Sequence, residues 1–375
     1  YDYFPKVKNI IYLKDHKIKV KYKKNNLSLK GSGKIQLQKE FDKIEYSFIS
    51  KDSGFNLDSK ILLSELNIKN QTFLKNFFPK INEKINLKDH QINVNYKKNN
   101  LSFKGSGKIQ LENEFDQIDY FVSKNANKFN FNTELDLNKT LFKVDSINYK
   151  KNKKSKTKLI VIGSYEKNNY LNLNELAIVS KENKIILKNL ALNKDNKILK
   201  IEKLDLKYFD IDNKKNQLIV QKKKNNSYLL NGSVFNANNL ISDLFSSKSD
   251  EQFKILKNDI SLDINLREVF IDDKNIINNL KGKIYIEDNK VIEANISAFF
   301  KNNENLNFTI NTNKGEKITK LFSSRAKPLV KRYKFIKGFE EGYLDFYSSK
   351  KDKISNSRIK IYDFKLQELP ILTKL

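Results

Sequence analysis

The chain has only two histidines, His16 and His90, and they occupy the same tripeptide, Lys14-Asp15-His16 and Lys88-Asp89-His90. A closed zinc site takes about four nitrogen or sulfur ligands. Two imidazoles 74 residues apart, in a chain without cysteine, do not supply them. Both histidines therefore read as polar residues at strand starts. Lys30-Gly31-Ser32-Gly33-Lys34, repeated at Lys104–Lys108, has the look of a phosphate loop. It lacks the Ser or Thr after the lysine and the helix that must follow. Its glycines fall in step with apolar positions, so they read as a bulge or bend in a curved sheet. Asp272, Asp273, Glu340 and Glu341 lie in charged segments with no histidine beside them. Paired carboxylates do acid–base work only at a defined separation in a pocket. Arg325 and Arg332 read as solvated charges, with lipid phosphate as their second reading. The expectation is a chain with no catalytic residue, no metal and no cofactor.

The elements that carry these residues are dominated by a repeat. Leu13–Tyr46 and Leu87–Tyr120 are identical at 26 of 34 positions without a gap. The match extends back to Phe4-Pro5-Lys6 against Phe78-Pro79-Lys80. Self-similarity at a fixed period marks stacked units. Inside the unit, Ile18, Val20 and Tyr22 alternate with Lys17, Lys19 and Lys21, the period of a half-buried strand. Leu27, Leu29, Gly31, Gly33, Ile35 and Leu37 continue the pattern after a polar turn. Each unit thus predicts about four antiparallel strands with one apolar and one lysine-rich face.

The same alternation runs on to Ile310 and predicts roughly 20 to 24 strands, over half of the chain. In one sheet, at about 4.8 Å per strand, they would reach on the order of 100 Å. Two segments read otherwise. Asn238–Phe245 predicts a short helix. Ile318, Leu321, Phe322, Ala326, Leu329, Val330 and Tyr333 recur at helical spacing, which predicts an amphipathic helix over Glu316–Tyr333, kinked at Pro328. Glu368–Leu375 predicts a further helix start.

The 375 residues contain 4 Pro and 11 Gly and no Ser/Pro-rich linker, which favours one continuous architecture. The expected organisation is tandem repeats over 1–150 (3–76 and 77–150), then a continuing sheet over 151–375. No run of 18 apolar residues occurs, so no helix of this chain is expected to span a bilayer. There is no Met and the chain begins at Tyr1. The expectation is an interior piece of a longer protein.

The net charge of +28 suggests nucleic acid, but only four of the 72 basic residues are Arg. Arg makes most bidentate contacts to bases and phosphates. The lysines are spread along the whole chain. They read as a solvated outer face, with anionic headgroups as the second reading and nucleic acid the third; Lys and Asn both have AT-rich codons, so genome bias is an expected source of the charge.

Ser324–Leu375 carries Gly338 and Gly342, then Ile359, Ile361, Asp363 and Phe364, then Pro370 and Leu372. This order resembles the C-terminal region of AsmA-like proteins, most closely the YhdP-type branch. Leu230–Leu244 resembles the family's strand-then-helix element, so the resemblance covers 230–375. It implies a bridge-like lipid transfer protein: a long, curved antiparallel sheet forming a U-shaped hydrophobic groove, with one or two short amphipathic helices. It further implies anchoring to the inner membrane through a segment outside this chain, and a path for phospholipid across the periplasm. The expected partners are acyl chains and the inner and outer membranes or their resident proteins, with the chain a monomer and no nucleic acid bound. The residues expected to line the groove are Val20, Leu27, Leu29, Ile35, Leu37, Val94, Leu101, Phe103, Ile109 and Leu111. The alternative is a structural or adhesive elongated β-repeat protein without a groove.

Overall fold

The computed structural model describes residues 11–366 except 25, 52–53, 152–154, 167–169, 196, 240–258, 289, 334–338 and 353; the side chains of 331–333 are also left out. Of the described residues, 73% lie in strands. The chain forms two compact units, Tyr1–Lys194 and Asp195–Leu375.

In the first unit, β1 (Tyr12–Lys23), β2 (Asn26–Gln36), β3 (Phe41–Lys51) and β4 (Gly54–Lys69) are followed by β5 (Lys84–Lys97), β6 (Asn100–Gln110), β7 (Phe115–Asn125) and β8 (Lys128–Asp136). The small hairpin β9 (Lys143–Val144) and β10 (Tyr149–Lys150) precedes β11 (Thr157–Glu166), β12 (Leu171–Ser180) and β13 (Lys184–Leu192). Apart from the separate β9–β10 pair, each strand pairs antiparallel with the next, and β8 pairs directly with β11. The repeat is exact in register: the β2–β3 pair Gly31↔Tyr46 recurs as Gly105↔Tyr120, 74 residues on.

In the second unit come β14 (Ile198–Lys200), β15 (Lys203–Phe209), β16 (Lys215–Lys222) and β17 (Ser227–Asn236), then β18 (Ile260–Phe270), β19 (Ile276–Glu287) and β20 (Lys290–Phe299). β21 (Asn305–Asn313), β22 (Glu316–Ser323), β23 (Phe339–Lys351) and β24 (Ile354–Leu366) follow. From β15 onward neighbours pair antiparallel, with one departure: β17 and β18 are parallel. A parallel neighbour needs a crossover, and residues 237–259 supply the length. The predicted helix Asn238–Phe245 falls here; Asn238 and Asn239 are helical and the rest lies outside the described residues.

Tight turns use asparagine. Lys98 and Asn99 both have positive φ (48° and 62°), the form of a two-residue hairpin turn. Thirteen of the eighteen described non-glycine residues with positive φ are Asn or Asp, the types that tolerate it best. Part of the asparagine content therefore has a backbone reason.

The helix predicted over Glu316–Tyr333 is corrected. Glu316–Ser323 is β22, paired on both sides, and the helix α1 is only Lys327–Tyr333. Gly315 (φ 79°) with Lys314 (φ 47°) closes a tight hairpin between β21 and β22, which outweighs the helical spacing of Ile318, Leu321 and Phe322. Pro328 does not kink α1. It sits in the first turn, where a missing N–H costs no intrahelical bond. Val330 is buried with Ala326, Phe339 and Leu344, while Leu329 and Leu321 pack around them. Phe322, part of the predicted apolar stripe, is 38% exposed.

Candidate functional site: a one-sided apolar sheet face

Pairing order turns the alternation of each strand into rows that run across the sheet. One row of the first unit reads Ile18–Gly31–Tyr46–Ser59–Val94–Phe103–Val122–Phe131–Gly163–Leu173–Leu190, each residue the register partner of the next. It crosses eleven strands, a path of about 50 Å at strand spacing. The neighbouring row, Val20–Leu29–Phe48–Leu57–Tyr96–Leu101, lies two residues along on the same face. Between them, on the opposite face, runs Lys19–Lys30–Ser47–Asp58–Asn95–Ser102–Ser123–Asn130.

The second unit repeats the arrangement with an unrelated sequence. Leu204–Val220–Leu230–Ile264–Gly282–Ile296–Phe308–Leu321–Phe346–Ile359 crosses ten strands in register. All are half-buried except Ile359, which is exposed.

Burial along the face is graded. Ile35, Ile109 and Leu111 are buried, Leu27, Leu29, Leu37, Val94, Leu101 and Phe103 are half-buried, and Val20 is 61% exposed. The buried end of the first unit is covered by two connecting segments. Residues 70–83 and 137–151 meet at Phe77, Phe78 and Phe142, with Phe78 edge-on to Phe142 at 5.2 Å. The Lys143 N–H donates to the Phe77 carbonyl at 3.0 Å and the Asn82 N–H to the Leu111 carbonyl at 2.8 Å. Leu63, Leu137 and Tyr149 are also buried in this unit. Toward the β1–β2 and β3–β4 turns, Tyr22 is 71% and Phe55 44% exposed. Phe55 stacks on Tyr96 at 4.7 Å and lies 5.4 Å from Phe48, an aromatic strip across β3, β4 and β5.

The residues with chemical potential are committed to structure. His16 and His90 do not begin strands. Each sits on a bulge, in β1 and β5, after an Asp with φ near 55°. The ring covers the glycine of the next strand. Nε2 lies 2.9 Å from the carbonyl of Lys34 or Lys108, and Nδ1 faces Tyr46 Oη (3.1 Å) or Tyr120 Oη (3.4 Å). The expectation that the glycines mark the bulge is corrected: the bulge lies on the neighbouring strand. The glycines instead leave room for the rings. A Cβ on Gly33 would stand 2.5 Å from His16 Cγ, and one on Gly31 2.5 Å from Tyr46 Cζ. Burial holds the His90 imidazole below its ordinary pKa and pushes the Tyr120 phenol up to about 12.

Sequence reasoning missed the buried carboxylates. Asp116 accepts bonds from the N–H groups of Asn138, Lys139 and Thr140 (3.0–3.1 Å) and from Thr140 Oγ1 (2.7 Å), tying 137–151 onto the face. Its repeat mate Asp42 accepts from Ser64 N–H and Oγ. The signal was present as Glu-Phe-Asp at both Glu40 and Glu114. In the second unit Asp210 accepts from the Asp212 and Lys214 N–H groups and from the amides of Asn216 and Asn236.

The four carboxylates singled out from the sequence bond to nearby turn amides and lysines. Asp272 caps the turn before Asn275, Asp273 faces Lys214 at 3.6 Å, Glu340 pairs with Lys327 and Glu341 with Lys365. Arg325 lies over the Phe300 ring at 5.9 Å. Gly342 (φ 76°) and Asp363 (φ 50°) are brought together where β23 and β24 lose regularity. There Phe364 stacks on Phe339 at 5.2 Å, and the Gly342 carbonyl accepts the Ala326 N–H at the start of α1. Gly338, Pro370 and Leu372 lie outside the described residues. Among the described residues no group of acidic or histidine side chains is arranged to hold a metal, and no helix is long and apolar enough to cross a membrane.

No family model matches this chain, and neither does any curated protein or solved structure.

Proposed function

We propose that the chain is a non-enzymatic lipid-carrying sheet, a stretch of a conduit for phospholipid between the membranes of a diderm cell envelope. The observation that supports it most is the pair of half-exposed apolar rows, one per unit, each unbroken by a charge over the first six register partners. Acyl chains laid on these rows meet side chains alone, because the backbone polar groups between strands are satisfied in the ladder. Phospholipid tails need a path at least as wide as half the hydrocarbon core, about 15 Å, which a few strands provide. The polar opposite face stays in water. On this reading the sheet curves into a U-shaped groove whose seam leaves headgroups solvated. The order of residues in 324–375 that resembles the AsmA-like YhdP branch supports the same assignment, with the chain in the periplasm and an inner-membrane anchor outside it.

The test is site-specific photocrosslinking in cells or lipid vesicles. A crosslinker at Leu29 or Phe103 should label phospholipid, and one at Lys19 or Lys108 should not. Leu29→Asp with Phe103→Asp should abolish transfer, since an unpaired charge in hydrocarbon costs several kcal/mol. Equal labelling of both faces, or none at Leu29 and Phe103 in an active protein, would replace the conduit by the structural β-repeat reading.

A further inference from the structure

β1 and β5 occupy the same place in their repeats and differ in their surroundings. The outer edge of β5 is bonded to β4 through thirteen register pairs, from Asn56↔Lys97 to Lys69↔Lys84. The same edge of β1 has no partner strand among the described residues. Side chains record the difference. His90 is 1% exposed and Tyr96 half-buried, whereas His16 is half-buried and Tyr22 is 71% exposed. A twelve-residue edge without a proline can accept a strand, but its five lysines and its bulge block any partner that does not bring opposite charge.

The substitutions between the copies refine the partner. Eight positions differ across the repeat, and three of them are the outward residues of this strand: Gln91, Asn93 and Asn95 in β5 are Lys17, Lys19 and Lys21 in β1. In β4 the residues facing Gln91, Asn93 and Asn95 are Leu62, Lys60 and Asp58. A strand built like β4 but facing three lysines is best served by carboxylates at those positions, since opposite charges across a strand pair stabilise and like charges do the reverse.

We propose that the outer edge of β1 is a docking edge for an antiparallel strand with the apolar pattern of β4 and an acidic outer row, contributed by a further repeat of this kind. Subtracting the repeat period from the β4–β5 register fixes the pairing. A leucine equivalent to Leu57 faces Tyr22, a serine equivalent to Ser59 faces Val20, an isoleucine equivalent to Ile61 faces Ile18, and a leucine equivalent to Leu63 faces His16. The proposal is independent of the lipid reading.

The chain has no cysteine, so disulfide trapping is clean. The experiment uses the full 375-residue chain with Ile18→Cys and synthetic peptides spanning Gly54–Lys69 with Lys60→Glu and Leu62→Glu. Each peptide also carries one of Ser59→Cys, Ile61→Cys or Leu63→Cys. The Ile61→Cys peptide should crosslink at least tenfold faster than the other two. Without added cysteines, the acidic peptide should bind at least threefold more tightly than the native sequence at low salt, and should slow hydrogen exchange of the outward β1 amides. Equal trapping at the three positions, tighter binding of the native peptide, or no binding would overturn it. So would protection of those amides before peptide is added, or self-association of the chain through β1.

Discussion

His90 lies over Gly107, with Cγ 2.5 Å from where a glycine Cβ would stand. The contact joins a bulge on one strand to a side-chain vacancy on the next, and it recurs at His16 and Gly33. Both contacts share equivalent carbonyl and tyrosine partners, and only β5 is bordered by β4, which makes them a useful pair for mutagenesis.

Gly107→Ala should destabilise the first unit by about 1–3 kcal/mol, because the added methyl displaces a buried ring. Gly33→Ala should cost less, since His16 is on an edge strand and has room to move. Urea denaturation of the two variants measures the difference; equal losses would show that β4 does not confine His90.

Stability should depend on pH through His90. Its folded pKa lies below the ordinary 6.5 because burial disfavours the imidazolium. At pH above 6.5 both states are neutral and the full stability is present. As pH falls below 6.5 the unfolded chain takes up the proton first, so stability is lost until the folded pKa is passed. The midpoint of urea unfolding should therefore drop between pH 7.5 and 5.5, and His90→Asn should flatten that drop.

Asp116→Ala removes the acceptor of four bonds from 138–140 and should cost about 3 kcal/mol, as hydrogen bonds to a buried carboxylate are each worth more than neutral ones. Asp42→Ala, with bonds from Ser64 alone among the described residues, should cost about half as much. Proteolysis within 137–151 should accelerate for the first variant alone.

Gly315→Val places a β-branched residue at φ 79° and should destabilise the β21–β22 hairpin by about 1–3 kcal/mol. Faster amide exchange in Glu316–Ser323 is the expected signature.

The strands and the apolar rows were legible because alternation is local and because an identical register at 74 residues repeats it. Leu29 and Phe103 fall on equivalent positions of β2 and β6 for that reason. The helix over Glu316–Tyr333 was misread because Ile318, Leu321 and Phe322 fit the helical spacing, whereas in β22 Leu321 lies on the face opposite Ile318 and Phe322. The Lys314-Gly315 turn, which decides the matter, lay just outside the helical window. The roles of His16, His90, Asp42 and Asp116 depend on which strand lies beside which. No spacing within one segment encodes that.

The parallel pairing of β17 with β18 has a consequence for how the second unit assembles. Most of its strands close onto their predecessor through two to five residues, so pairing can advance along the chain one hairpin at a time. Joining β17 to β18 instead brings together residues 34 apart, as in Ser227↔Ser261. Against a four-residue turn, that adds about 2 kcal/mol of chain entropy before any contact repays it. Residues 260–366 should therefore nucleate separately from 203–236, with the parallel seam formed last, and shortening 237–259 should speed refolding while leaving the unfolding rate nearly unchanged.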